Sequence, residues 1–197
     1  MRGLLTVSRI IDAANLRIGK FLSWLIVVAV VVSATNATVR KVFDTSSNAW
    51  LELQWVLFSA VFLLCSPWTL LANEHIRIDI LNNLMPKRVR DTIDLVGHAL
   101  FLLPLTVIMI VTSYPFFLQS YRIDEQSQNA GGLPQWPAKS LVLLGFVALF
   151  FQGISELIKR IAVMRGDIPD PRAADTHSAI EAEVERLLGD ADTPQSR

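Results

Sequence analysis

The chain has 197 residues, 52% of them hydrophobic and 18% charged, a balance too apolar for an ordinary soluble domain of this length. Eighteen basic and eighteen acidic residues cancel, which excludes an overall field that would draw the protein to nucleic acid. The single cysteine, Cys65, excludes a disulfide framework within one chain and reads as a small buried hydrophobe.

The apolar residues fall into four blocks, and a hydrocarbon layer of ~30 Å needs roughly 20 helical residues to cross it. The fold class expected is all-α: an integral membrane four-helix protein with both termini cytoplasmic. Amphipathic interfacial helices are expected at the N-terminus and in the central cytoplasmic connection. Residues 1–20 form the first of these, a basic arm with Arg2, Arg9, Arg17 and Lys20 among Leu4, Leu5, Val7, Ile10, Ile11 and Leu16, which suits a helix on the membrane face. The membrane domain covers 21–165, with spans at about 21–39, 50–72, 95–118 and 136–158. The basic start and small residues before the second block imitate a signal peptide, but the basic region is long for one, and the first block is expected to be retained as a span.

The second span follows Ser46, Ser47 and Asn48, residues suited to a helix start, and Pro67 is expected to bend it without ending it. Between spans two and three lies Glu74-His75-Ile76-Arg77-Ile78-Asp79, three alternating charges beside an apolar stripe of Ile76, Ile80 and Leu84. A short surface helix that pairs its own charges or contacts another subunit fits this segment better than a solvated connector. The third span contains Pro104 and Pro115. Residues 119–137 carry Asn129, Gly131, Gly132, Pro134 and Pro137 and read as a structured turn region. Residues 166–197 form a hydrophilic tail with one short amphipathic helix, opened by Ser178 and Glu181 as a capping box.

Orientation follows from the basic residues beside the spans. Arg2, Arg9, Arg17, Lys20, Arg77, Lys87, Arg88, Arg90, Lys159, Arg160 and Arg165 fall on one side. Arg40, Lys41, Arg122 and Lys139 fall on the other. The richer side should be cytoplasmic.

Ionisable residues inside a membrane mark function by default, because an uncompensated charge there is costly. The span midpoints fall near Val30, Val61, Val107 and Val147, and none has Asp, Glu, Lys, Arg or His within about two turns. That argues against a proton relay or a charged-substrate site in this chain. Glu52, with Gln54 beside it, reads either as an acid at the start of a helix or as a contact to a partner helix. Trp50, Trp55, Trp68 and Trp136 suit an aromatic belt. His98, one turn after Asp94, permits a helical side-chain pair. With only His75 and His177 besides, no metal site can be assembled, and no phosphate loop or nucleophile motif occurs. No cofactor and no enzymatic activity are expected.

Three segments in order, Trp50-Leu51-Glu52-Leu53-Gln54-Trp55, Glu74-His75-Ile76-Arg77-Ile78-Asp79-Ile80 and Gly131-Gly132-Leu133-Pro134 with Trp136-Pro137, together with the four-span layout, resemble the DctQ-like small membrane subunit of tripartite ATP-independent periplasmic (TRAP) transporters. The resemblance covers about residues 10–165. It implies a multi-pass protein of a bacterial inner membrane, and a symport system in which a periplasmic solute-binding protein delivers an organic or sugar acid to a large multi-span permease subunit. The large subunit carries substrate and coupling ion, and the small one braces its scaffold and helps dock the binding protein. Candidate partner contacts are Trp50, Glu52, Gln54, Glu74, His75, Arg77 and Asp79. A stand-alone small carrier or channel would need polar residues along a path. A membrane-bound enzyme or an assembly factor remains the other class, and co-purification of a large many-span protein separates them all from the transporter subunit.

Overall fold

The computed structural model describes residues 2–45, 47–72 and 86–169. The chain forms two compact units, Met1–Arg160 and Ile161–Arg197. Among the described residues there is no strand, only an isolated antiparallel bridge between Gln126 and Pro134. Four helical stretches are long and apolar enough to cross a membrane: Gly3–Phe43, Asn48–Leu71, Asp91–Arg122 and Trp136–Met164.

Helix α1, Arg2–Phe43, has 42 residues. At ~1.5 Å per residue it is about 63 Å long, roughly twice the hydrocarbon thickness. The basic arm is therefore no separate element but the first half of this helix. Its run of valines, poor helix formers in water, is held helical because a backbone in lipid must satisfy its own hydrogen bonds. The helix ends where Asp44 takes φ 48°, the left-handed conformation that closes many helices.

Helix α2, Asn48–Leu71, runs through Pro67. Ser47 precedes it in extended conformation, without a side-chain cap. Pro67 cannot donate to the Leu63 carbonyl one turn back. That carbonyl faces Gly145, where an added Cβ would stand 3.0 Å from it and 2.9 Å from the Leu63 Cβ. Glycine thus admits the close approach of α2 at this turn. Gly19 plays the same part between α1 and α2, since a Cβ there would lie 2.7 Å from the Trp68 ring. Small residues at helix crossings are the usual means of close packing where no hydrophobic force separates helix from lipid.

The third span begins as α3, Lys87–Val96, and widens into a π-helical segment, Gly97–Leu102. It continues as α4, Leu103–Arg122, with Pro104 in its first turn. The cause is Pro104, whose missing N–H and bulky ring conflict with the carbonyl four residues back, so the wider turn relieves the clash. His98 Nδ1 lies 2.7 Å from the Asp94 carbonyl and so donates to the backbone, not to the Asp94 carboxylate. Helix α5, Trp136–Met164, starts one residue before Pro137, which fills a first-turn position where no backbone donor is needed. On α4, Thr106, Ser113 and Ser120 form a buried seam at seven-residue spacing. Across the third span, Leu102 and Leu103 close on Gly153 of α5.

In the second unit, Ile161–Arg197, the described residues comprise the last turn of α5 and its cap. Gly166 at φ 78° lets Asp167 N–H reach the Ala162 carbonyl at 2.9 Å.

Candidate functional site

Two polar clusters occupy opposite ends of the first unit. The end where α2 begins and α4 stops is organised by Glu52. One turn into α2, its Oε1 accepts from the Ser127 hydroxyl and from Asn129 Nδ2 at 2.9 Å, and its Oε2 accepts from the Leu133 N–H at 2.6 Å. All three donors belong to the connection between α4 and α5. Asn48 adds a bond from Nδ2 to the Ala130 carbonyl at 3.0 Å. Gly132 leaves the room, since a Cβ there would lie 2.7 Å from Glu52 Oε1.

The connection is otherwise held by its own backbone. Gln135 N–H meets the Glu125 carbonyl at 2.8 Å, Ser127 N–H the Leu133 carbonyl at 3.2 Å, and Gly132 N–H the Asn129 carbonyl at 3.0 Å. Asp124 (φ 47°) and Gly131 (φ 71°) supply the left-handed turns this path needs. Glu125 is ion-paired with Lys139. The Lys139 ammonium, together with the Ser120 hydroxyl, holds the Glu125 carboxyl below the ordinary carboxylate range. The same ammonium sits 4.1 Å from the Phe116 ring centroid. A cleft of ≈ 480 Å³ lies against this assembly, bordered by Trp55, Ser59, Gln126, Asn129 and Gln135 among others.

The opposite end carries a network between α1 and α5. Ser8, Asp12 and Asn15 recur on one face of α1, and Gln152, Ser155, Glu156 and Lys159 on one face of α5. Asp12 Oδ1 accepts from Ser155 Oγ at 2.7 Å and from Gln152 Nε2 at 2.9 Å, and Lys159 Nζ reaches Asp12 Oδ2 at 3.0 Å and Glu156 Oε1 at 2.5 Å. Because a carboxylate only accepts, the Ser155 proton goes to Asp12, and Ser8 must donate in the 2.7 Å contact between the two hydroxyls. The same logic fixes the amide of Gln152: its NH₂ faces two acids, so its Oε1 accepts from Asn15 at 2.7 Å. Ser8, Asn15, Gln152 and Ser155 are all buried. Beside this network, buried Arg160 stands 3.9 Å from Asp91 and 3.7 Å from Asp94.

Among the sequence-predicted contacts, Glu52 joins the α4–α5 connection of its own chain. Trp50 borders a smaller recess with Thr35, Asn36 and Ser47, and Gln54 is half-buried on α2. Of the proposed aromatic belt, Trp55 is exposed, whereas half-buried Trp68 packs on Gly19 of α1. Glu74, His75, Arg77 and Asp79 lie outside the described residues, as does the tail helix. The network of α1 and α5 is absent from the sequence-based expectations. Its signal was present in the polar spacing of Ser8, Asp12 and Asn15 within an apolar arm. No group of three or more metal-ligating side chains occurs among the described residues.

This geometry binds helices to one another and a connection to a helix. A family model described as "Tripartite ATP-independent periplasmic transporters, DctQ component" matches residues 12–163. Comparison with curated proteins and with solved structures gives no match.

Proposed function

This chain belongs to the DctQ family, the small membrane component of tripartite ATP-independent periplasmic transporters, and on that footing we propose that it braces a large permease subunit and offers a periplasmic solute-binding protein a preformed landing surface. The observation that carries the reading is the locked α4–α5 connection. Glu52 accepts three hydrogen bonds from this segment and ties it to α2, in addition to the backbone bonds the segment makes within itself. A surface ordered in advance loses less entropy when a partner settles on it.

The division of labour has a second support. Charged residues are missing around Val30, Val61, Val107 and Val147, so substrate and coupling ion pass through the large subunit. The setting is a bacterial inner membrane with both termini cytoplasmic, which puts the Glu52 end in the periplasm. The cargo is an organic or sugar acid moved by symport. Trp50 and Gln54 face the partners around this end, and Glu74, His75, Arg77 and Asp79 serve the large subunit on the cytoplasmic side.

The test is affinity purification of the tagged full chain from mild detergent, followed by reconstitution. A much larger many-span protein should co-purify. Liposomes holding this chain alone should show no solute uptake under a sodium gradient, and uptake should require the large subunit and the binding protein. Uptake by this chain alone would favour the small-carrier reading.

A further inference from the structure

The cleft beside the Glu52 assembly holds a charge that the assembly itself does not neutralise. Glu52, Trp55, Val56 and Ser59 follow one another at three- and four-residue spacing, so one face of α2 forms one wall, and the α4–α5 connection forms the other. Among the described residues this lining has the acids Glu52 and Glu125 and no Lys, Arg or His. Glu125 is answered by Lys139, which stands outside the lining. Glu52 has no such counterpart. Its donors, the Ser127 hydroxyl, the Asn129 amide and the Leu133 N–H, are all neutral, and they use three of the roughly four acceptor positions of a carboxylate. Gln126 spends its Nε2 on the Asp124 carbonyl, which leaves its Oε1 as a further acceptor. Almost one helical turn from Glu52, Trp55 is 72% exposed and offers an indole face.

That lining selects among occupants. An organic or sugar acid would bring its carboxylate against Glu52, and a phospholipid ammonium would bring its phosphate to the same place. A metal ion needs several converging ligands, and no group of three or more metal-ligating side chains occurs among the described residues. A guanidinium suits each feature. Its plane stacks on an indole, and its fork of donors can meet both the remaining carboxylate position and the Gln126 Oε1. It is also more weakly hydrated than an ammonium, so less is lost when it leaves water. The cleft, ≈ 480 Å³, is open to a side chain presented from outside.

We infer that the cleft between Trp55 and the α4–α5 connection receives an arginine of the periplasmic solute-binding protein, its guanidinium stacked on Trp55 and paired with Glu52. The inference deepens the docking reading and rests on it. Glu52 then acts twice, ordering the connection through neutral donors and presenting its charge to the partner.

The experiment places photoreactive p-benzoylphenylalanine at exposed Gln128, on the rim of the cleft, in the full chain assembled with its large subunit in nanodiscs. The solute-binding protein that supports uptake by this assembly is added, and cross-links are mapped by mass spectrometry. They should fall beside a surface arginine, and replacing that arginine with glutamine should weaken binding. Trp55→Leu should weaken binding roughly fivefold, as expected for a cation stacked on an indole, and Trp55→Phe less. Gln128→Arg puts a competing guanidinium at the mouth and should slow association, whereas Gln128→Glu should speed it, and both differences should shrink in high salt. Hydrogen exchange at the Leu133 amide should stay at the parent value in the Trp55 and Gln128 variants, which separates loss of the occupant from loss of the ordered connection. Where a variant changes that exchange, the cross-link and the arginine replacement decide. Absence of binding to the parent assembly overturns the docking reading and this inference with it. Binding that is indifferent to Trp55→Leu, the opposite order of the two Gln128 variants, or a cross-link to phospholipid or far from any arginine overturns this inference alone.

Discussion

Glu52 works by being an acceptor twice over. Its two oxygens collect donors from Ser127, Asn129 and Leu133, and a neutral amide of the same size has one acceptor oxygen and two donor hydrogens that face the wrong partners. Glu52→Gln should therefore leave the helices intact while the Leu133 amide exchanges hydrogen several-fold faster, with Gly132 and Gln135 following. Unchanged exchange at Leu133 would show that the backbone bonds alone order the connection. Glu125 makes a complementary prediction about pH. Its carboxyl is lowered below the ordinary glutamate value of 4.5, with the Lys139 pairing as the main cause. A depressed acid stabilises the fold above its unfolded value and ceases to do so as pH falls through its folded value. Order around residues 124–135 should hold from neutral pH down to about 4.5 and decline below it, followed by exchange or by Trp136 fluorescence. In a Glu125→Gln variant the part of this acid transition that belongs to the Lys139 pairing should be lost, and what remains should belong to the Glu52 carboxylate, which binds the same connection.

At the scale of elements, the α1–α5 network sets how firmly the long first helix is attached. Gln152 is fully buried and connects Asn15 to both Asp12 and Glu156. Replacing it with leucine keeps the volume but removes two donors and an acceptor. A buried polar group left without a partner costs about 1–3 kcal/mol. Gln152→Leu should therefore lower the thermal midpoint in detergent, and Gln152→Glu should do so as well, by placing a third carboxylate beside Asp12 and Glu156. If Gln152→Leu melts like the parent, the contact is held by van der Waals packing and not by the polar bonds.

For the whole molecule, the distribution of basic residues gives the orientation to be tested. Reporter fusions after Asn48 and Gly132 should report periplasm, and fusions after Met85 and Arg165 cytoplasm, because the basic residues beside the spans divide eleven to four. Reversed signals at two sites would place the Glu52 assembly on the cytoplasmic face and remove its docking role. Orientation thus links a carboxylate with three donors to the side on which the proposed docking would take place.

The chain order of apolar blocks by itself determined that four helices form and about where, because hydropathy is summed locally and lipid leaves the backbone no alternative to a helix. The quoted motifs around Trp50–Trp55 and Gly131–Pro137 likewise sufficed to point to the family that residues 12–163 match. Tertiary structure decided the rest. That Glu52 serves residues 127–133 of its own chain depends on bringing together groups 75 to 81 positions apart. Asp12 and Lys159 meet across 147 positions. Polar spacing on one helix reveals a face, but the partner is chosen by which helices come close. That choice rests on small residues such as Gly19 and Gly145, whose value lies in the side chain they lack. The π-helical turn before Pro104 shows the same limit: the proline announces a disturbance, and only the packed helix shows that it is absorbed by widening and not by a break.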